Sequence, residues 1–285
     1  MKALEVRELR KSYGTVEAVA GISFTVEPGE VFGLLGPNGA GKTTTVEILE
    51  GYRKRDGGHV TVLGVDPEHG GRALRERIGV VLQASESTAA LTVRELHRMF
   101  AGYYTHPRDI DEVIGLVGLE EKSGARVKTL SGGQKRRLDL GLALVGDPEL
   151  LFLDEPTTGF EPAARRTAWE LVRSLRTLGK TVLLTTHYLD EAQQLADRVA
   201  VIRDGRIVTQ GTPAELIGVA PKVEIRYRED GRDIVIETDE PTRLLAELAG
   251  AAAAAGRELE SLEVVRPSLE DVYLDLIDND VGESP

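Results

Sequence analysis

The chain has no cysteine among its 285 residues. That excludes disulfides, cysteine-ligated zinc and thiol nucleophiles, and it is compatible with a reducing compartment. It also lacks a long apolar run. A membrane-crossing helix needs about 20 apolar residues, and the nearest stretch, "LLAELAGAAAAAG" at Leu244–Gly256, is short, alanine-rich and broken by Glu247. The opening "MKALEVRELRKSYG" has no apolar core, so it is expected not to act as a secretion signal. Basic charge is in the minority, with 35 Lys and Arg against 47 Asp and Glu and a net charge of -12. Such a balance repels nucleic-acid phosphates and disfavours simple adhesion to an anionic membrane. Any membrane contact is therefore expected to run through another protein, without insertion of this chain. There is no internal repeat.

What is present has the periodicity of an α/β protein. With 41% hydrophobic residues, the chain suits one sizeable domain with a small appendage. "GISFTVEPGEVFGLLG" alternates, turns at Pro28-Gly29 and then runs apolar over Val31–Leu35. "TTTVEILEG" reads as a helix ending at Gly51, and "HVTVLGV" and "IGVVLQ" as strands. From about Thr92 to Val145 the pattern is helical. Thr92 and Glu95 form a capping box, and Leu138, Leu142 and Val145 fall on one face. "LLFLDEP" and "TVLLTTH" are short apolar runs flanking a helix with Pro162 in its first turn and Gly179 past its last. Buried strands alternating with helices predict a parallel sheet covered on both faces. "VAVIRDGRIVTQG" reads as a hairpin turning at Asp204-Gly205. From Lys222 the composition becomes less apolar: a second hairpin, a helix at about Pro241–Ala255, a strand and a last helix "SLEDVYLDLID", then an acidic tail.

Three groups of residues carry chemistry. Gly36-Pro37-Asn38-Gly39-Ala40-Gly41-Lys42-Thr43, followed by Thr44, fits the phosphate loop G-x-x-x-x-G-K-[ST] in full. Its glycines free backbone N–H groups to surround phosphate oxygens, Lys42 adds a cation and Thr43 offers a hydroxyl to Mg²⁺. Asp154 and Glu155 close a buried strand at the carboxyl end, where ligands of open α/β sheets bind. Neighbouring strand residues face opposite ways, so the two are expected to divide their tasks. Asp154 would hold Mg²⁺, directly or through water, and Glu155 would orient and deprotonate an attacking water. His187 and Gln83 end two further strands. Each is either an ordinary strand-end residue or a sensor of the γ-phosphate, with Gln83 also a candidate Mg²⁺ ligand. Tyr13 either packs on its sheet or offers its ring to adenine. A second phosphate-binding pattern, "TLSGGQKRRLDLGLALV" from Thr129, places Ser131, Gly132, Gly133 and Gln134 at the start of a helix.

Tyr13, the phosphate loop, Gln83, "LSGGQ", "LLFLDE" and His187 occur in the order found in ATP-binding cassette (ABC) ATPases, and the resemblance covers nearly all of residues 1–218. "LTVRELHRMFAGYY", the stretch around "LSGGQ" and the closing "PSLEDVYLDL" resemble the daunorubicin-type drug-resistance (ABC-2) export branch. The resemblance implies an α/β fold: a P-loop ATPase core with a parallel sheet, an N-terminal antiparallel β subdomain, a helical subdomain at about 90–145, and a small C-terminal α/β domain at 222–280. It implies Mg²⁺-dependent ATP hydrolysis by a head-to-tail homodimer on the cytoplasmic face of the cell membrane. A separate transmembrane permease subunit is implied, contacting the region between Gln83 and about Tyr104. In that arrangement Ser131 and Gly133 of one copy would close over ATP held on Lys42 of the other. The chain departs from the family at Phe160-Glu161-Pro162, where Leu-Asp-Pro is usual. Glu161 either begins a helix or carries a carboxylate to the dimer seam. Two other readings are a soluble ABC ATPase acting on nucleic acid or the ribosome, and a regulatory module that binds ATP without cleaving it. The single cassette and the acid excess weigh against the first; intact Lys42, Asp154, Glu155, Gln83 and His187 weigh against the second.

Overall fold

The structure, a computed structural model, describes residues 1–81, 90–158, 160, 162–218, 223–229, 231–265, 269–270 and 273. Two compact units divide the chain, Met1–Thr212 and Pro213–Pro285. The first opens with β1 (Leu4–Tyr13), β2 (Val16–Val26), β3 (Val31–Leu35), α1 (Lys42–Leu49), β4 (Gly57–Val62), α2 (Gly71–Arg75) and β5 (Ile78–Val81). Helices α3 (Val93–Ala101), α4 (Ile110–Leu116) and α5 (Gly132–Leu144) follow. Then come β6 (Leu150–Asp154), α6 (Pro162–Thr177), β7 (Thr181–Thr186), α7 (Leu189–Leu195), β8 (Arg198–Arg203) and β9 (Arg206–Gly211).

A six-stranded sheet in the order β5-β6-β7-β3-β8-β9 forms the centre. All of its pairings are parallel except the β8–β9 hairpin, which turns at Asp204 and Gly205 with φ of 48° and 73°. A separate antiparallel sheet, β2-β1-β4, comes from the N-terminal region. The continuous apolar runs of the sequence make sense because both faces of the inner strands β3, β6 and β7 are buried. Phe32, Leu34, Leu150, Phe152 and Leu183 point into one core with the β1–β2–β4 sheet and α1. Val31, Leu151, Leu153, Val182 and Leu184 point into the other with α3, α4 and α5. The alternation of period two is intact; it distributes apolar side chains between two cores instead of between core and water.

Between β5 and β6 every described helix or strand is helical. The capping box of Thr92 and Glu95 is formed in both directions. Helix α5 is buried on more than the single face its periodicity suggests. Leu140, Gly141, Ala143 and Leu144 are enclosed along with Leu138, because α5 packs on α3, α4 and β5 at once. A Cβ at Gly141 would stand 2.5 Å from His97 Nε2, so the glycine permits the close approach of α3.

The second unit holds α8 (Pro213–Gly218), β10 (Val223–Glu229), β11 (Arg232–Thr238), α9 (Pro241–Ala254) and β12 (Glu260–Val265). Its three strands form an antiparallel sheet in the order β11-β10-β12. Among the described residues, no helix is long and apolar enough to cross a membrane.

Candidate functional site

Strand β3 is buried along its whole length and delivers the chain to Gly36. The loop then wraps ahead of α1, whose N-cap is Gly41. Two glycines here are compulsory. A Cβ at Gly36 would lie 2.2 Å from the carbonyl oxygen of Ile202, and one at Gly41 would lie 2.3 Å from that of Ala18. Gly41 also has φ of 101°, which L residues rarely adopt. The Lys42 ammonium is folded back into the loop, donating to the carbonyls of Gly36 at 2.8 Å and Pro37 at 3.1 Å. Asn38, Gly39, Gly41, Lys42, Thr43 and Thr44 form one wall of an open cleft, with Glu155 facing them; Ala40 is buried behind them.

Register places the first carboxylate. Asp154 pairs with Thr185 across β6 and β7, and the Thr185 hydroxyl donates to Asp154 Oδ1. The other oxygen, Oδ2, accepts from the Thr43 hydroxyl at 3.3 Å. Asp154 thus continues the face of Leu150 and Phe152, toward α1. Glu155 does not continue the alternation. Its φ of 46° is left-handed, a conformation that costs a non-glycine residue about 1–3 kcal/mol. Its backbone N–H donates to Thr185 Oγ1 at 3.0 Å. The turned backbone brings Glu155 Oε1 to 3.4 Å from Lys42 Nζ, so both carboxylates face the phosphate loop. The expectation of opposite facing therefore fails at Glu155, because strand geometry ends one residue earlier. Burial raises the Glu155 carboxyl, but Thr158, His187 and Lys42 together outweigh it and leave the group below its ordinary range. It is ionised at neutral pH.

His187 Nδ1 lies 3.3 Å from the same Glu155 Oε1 without hydrogen-bond alignment, and its ring leans on Tyr188 with centroids 4.1 Å apart. Thr158 donates to Glu155 Oε2 at 3.0 Å. Lys42, Thr43, Asp154, Glu155 and His187 are thus brought together, from three different strand ends. The oxygens of Thr43 and Asp154 are a hard donor pair. Among the described residues no cluster of three or more His, Asp or Glu could form a protein cage. That set suits Mg²⁺, which is ordinarily bound through one or two protein oxygens plus phosphates and water. Tyr13 is elsewhere, exposed at the end of β1, with Arg53 Cζ 5.2 Å and Lys11 Nζ 5.7 Å from its ring centroid. Gln83 and Glu161 lie outside the described residues.

Ser131 is the N-cap of α5. Its hydroxyl accepts from Gln134 N at 3.3 Å, and Gln134 Oε1 accepts from Ser131 N at 3.0 Å. Ser131, Gly133 and Gln134 line a cavity shared with Leu140, Phe160 and Leu171, separate from the phosphate cleft. Gly132 and Gly133 have helical backbones, and a Cβ at either would meet no atom within 4 Å. Among the described residues, nothing requires glycine at these two positions.

Three supporting residues are not evident in the sequence. Arg136 on α5 reaches across to β6, donating to the carbonyls of Pro156 at 3.0 Å and Asp154 at 3.3 Å. Thr185 holds Asp154. Glu191 on α7, fully buried, accepts from Thr157 Oγ1 at 2.8 Å and Trp169 Nε1 at 3.2 Å and ties the loop after Glu155 to α6. Their partners are distant in sequence, and no spacing rule signals them.

The sequence profile described as ABC transporter matches residues 19–158. Nod factor export ATP-binding protein I of Rhizobium etli is 46% identical over 222 residues, 76% of this chain and 70% of that protein. The protein of the same name from Rhizobium sp. strain N33 is 41% identical over 300 aligned positions, covering 96% of both. Among solved structures, cbiO1 from Clostridium perfringens, part of the ABC transporter complex cbiONQ, superposes with a TM-score of 0.71 at 30% identity, over 76% of this chain and 91% of that one. The ATP cradle, the paired carboxylates and these relatives agree: the chain belongs to the ABC transporter family, as an ATP-binding and ATP-hydrolysing subunit.

Proposed function

We propose that this chain powers export through a separate membrane subunit, working as a head-to-tail homodimer that clasps two ATP molecules. The observation that carries the reading is the pair Gly132 and Gly133, exposed and half-buried respectively beside the Ser131 cap at a helix N-terminus, where an added Cβ would meet nothing among the described residues. Bare backbone N–H groups at the positive end of a helix dipole fit a phosphate brought by another molecule. The phosphate cleft of the same chain is lined by other residues. An isologous pair of chains satisfies both halves, each cradle covered by the partner's Ser131 and Gly133.

On ATP binding, Lys42 exchanges its carbonyl and Glu155 contacts for the β- and γ-phosphates. Thr43 and Asp154 would hold Mg²⁺, directly or through water, and the bound ion would supply charge neutralisation for the phosphates. Glu155, freed from Lys42 and already ionised, orients the attacking water and receives its proton. His187 contacts the γ-phosphate from the end of β7. Cleavage removes the phosphate that both chains share, and the pair opens. Gln83 as a γ-phosphate sensor and Glu161 as a seam carboxylate remain part of this reading. Glu161→Asp is expected to leave the fold intact and to raise turnover or pairing. Tyr13 is assigned the adenine-stacking position. Export is supported by the names of the relatives, and placement in the daunorubicin-type ABC-2 branch by the stretches quoted from the sequence. The membrane subunit is assigned the groove beside α3, where Tyr103 is 65% and Tyr52 73% exposed. The chain then sits peripherally on the cytoplasmic face of the membrane.

Complementation tests the shared site. Lys42→Ala and Ser131→Ala chains are each inactive alone. Mixed, they form dimers with one complete pocket, made from Lys42 of one chain and Ser131 of the other, and turnover returns. A mixture as inactive as its components, under conditions where heterodimers are detected, refutes the head-to-tail site.

A further inference from the structure

Helix α1 begins at Lys42 in the phosphate cradle and ends at Leu49, so its eight residues span about 12 Å. The next residue, Glu50, is 5% exposed. Its Oε1 is completely buried and has no hydrogen-bond partner among the described residues. The carboxyl lines the groove that also holds Tyr52, Phe100, Tyr103 and Tyr104.

Every local influence opposes an anion there. Burial comes first, then the carboxylates of Asp154 and Glu47, and together they push the Glu50 carboxyl up to about 8. The C-terminal end of α1 adds its negative dipole, and no basic residue stands in its last turn. Arg75 and Asp139 line the same groove, but no ion pair joins Arg75 to Glu50 among the described residues. A buried polar group without a partner destabilises the fold. Core packing does not explain keeping one in place of the methionine or leucine that would fit a helix end.

A cation entering the groove would relieve all of these terms at once. It would neutralise the buried carboxylate, complement the helix dipole and meet aromatic faces that favour it. We propose that Glu50 is the recognition carboxylate for the membrane subunit, receiving one Arg or Lys carried on a short amphipathic cytoplasmic segment whose apolar side chains lie against Phe100, Tyr103 and Tyr104. This rests on the groove being the docking site of that subunit, as set out under the proposed function. It adds the chemistry that selects the partner: a basic side chain flanked by apolar ones. Since Glu50 directly follows the helix that starts at Lys42, docking and nucleotide binding act on opposite ends of one rigid element.

The test uses the full chain and the membrane subunit that co-purifies with it, reconstituted in lipid nanodiscs, with affinity measured by biolayer interferometry. Glu50→Gln is expected to weaken binding on the order of 30-fold or more, as removal of one partner from a buried charged pair does. The isolated variant is expected to keep its ATP affinity and to melt no lower than wild type. Glu50→Met, which introduces no new polar atom, should behave the same way. Replacing the Arg and Lys residues of the subunit's cytoplasmic loops one at a time by Gln should reveal one whose loss matters with the wild-type chain and has no further effect with Glu50→Gln. Undiminished binding by both Glu50 variants overturns the inference and leaves groove docking intact. So does additivity of Glu50→Gln with every basic replacement. A lowered melting temperature with lost ATP affinity makes Glu50 structural and also overturns it. Binding that survives charge and bulk introduced at Tyr103 overturns the docking reading itself.

Discussion

Gly133→Ala separates what α5 needs for folding from what it offers to a neighbour. The position is the second residue of α5, with a helical backbone, and the added Cβ meets no atom within 4 Å. The described residues therefore impose no steric cost. Alanine is favoured over glycine by up to about 1 kcal/mol in a helix interior, and somewhat less so near an N-terminus. For a unit of this size 1 kcal/mol corresponds to about 2–4 °C in melting temperature. The isolated variant should thus melt at the wild-type temperature or up to about 4 °C above it. Its catalysis should move the other way. A methyl group at the mouth of a backbone phosphate site pushes the phosphate out of hydrogen-bond range of the Gly133 N–H, and losing one such donor costs on the order of 10²–10³ in turnover. Differential scanning fluorimetry of the nucleotide-free chain and steady-state phosphate release measure the two quantities. A lower melting temperature would mean that the glycine serves its own fold. Undiminished turnover would mean that no phosphate approaches this helix end. Either result refutes the reasoning.

Other outcomes follow from single contacts. Glu155→Gln keeps the size of the side chain and removes the proton acceptor, so the variant should bind ATP, fail to turn over and accumulate as a dimer in sedimentation; turnover like that of the parent would exclude Glu155 as the base. Gly36→Ala forces a Cβ to within 2.2 Å of the Ile202 carbonyl, which should abolish ATP binding and destabilise the chain by more than about 1 kcal/mol, as read by isothermal titration and urea unfolding. Glu50 titrates near 8 in the folded chain and from about 4.5 when unfolded. Between those values the folded state holds the extra proton, so stability falls as pH rises, at up to about 1.4 kcal/mol per pH unit. Glu50→Gln should remove that slope from melting curves taken at pH 5 to 8, and an unchanged slope would place the titration elsewhere.

Much of the site is legible in the sequence because its parts are local. The phosphate loop needs only a buried strand, glycines and a helix in immediate succession, and each leaves its mark in the order of residues. The capping box at Thr92 and the hairpin at Asp204-Gly205 are likewise contained within a few residues. The orientation of Glu155 departs from the sequence expectation for the same reason: alternation is a local rule, and the left-handed turn that ends it is held by Thr185, thirty residues away. Arg136, Glu191 and Glu50 are ordinary charged residues in sequence; the long-range hydrogen bonds of Arg136 and the burial of Glu191 and Glu50 distinguish them.

By itself, then, the order of residues determined the element types, the cradle and the pair of carboxylates, since short-range sterics and backbone hydrogen bonding decide these. Tertiary structure alone decided that β7 lies between β3 and β6, which lets Thr185 hold Asp154 and brings Thr43, Lys42 and His187 to the two carboxylates. It also decided that Cβ atoms at Gly132 and Gly133 would meet none of the described residues, and that Glu50 Oε1 is buried with no hydrogen-bond partner among them. Those facts depend on which distant segments come to lie against one another, and that is fixed by the packing of two cores against one sheet.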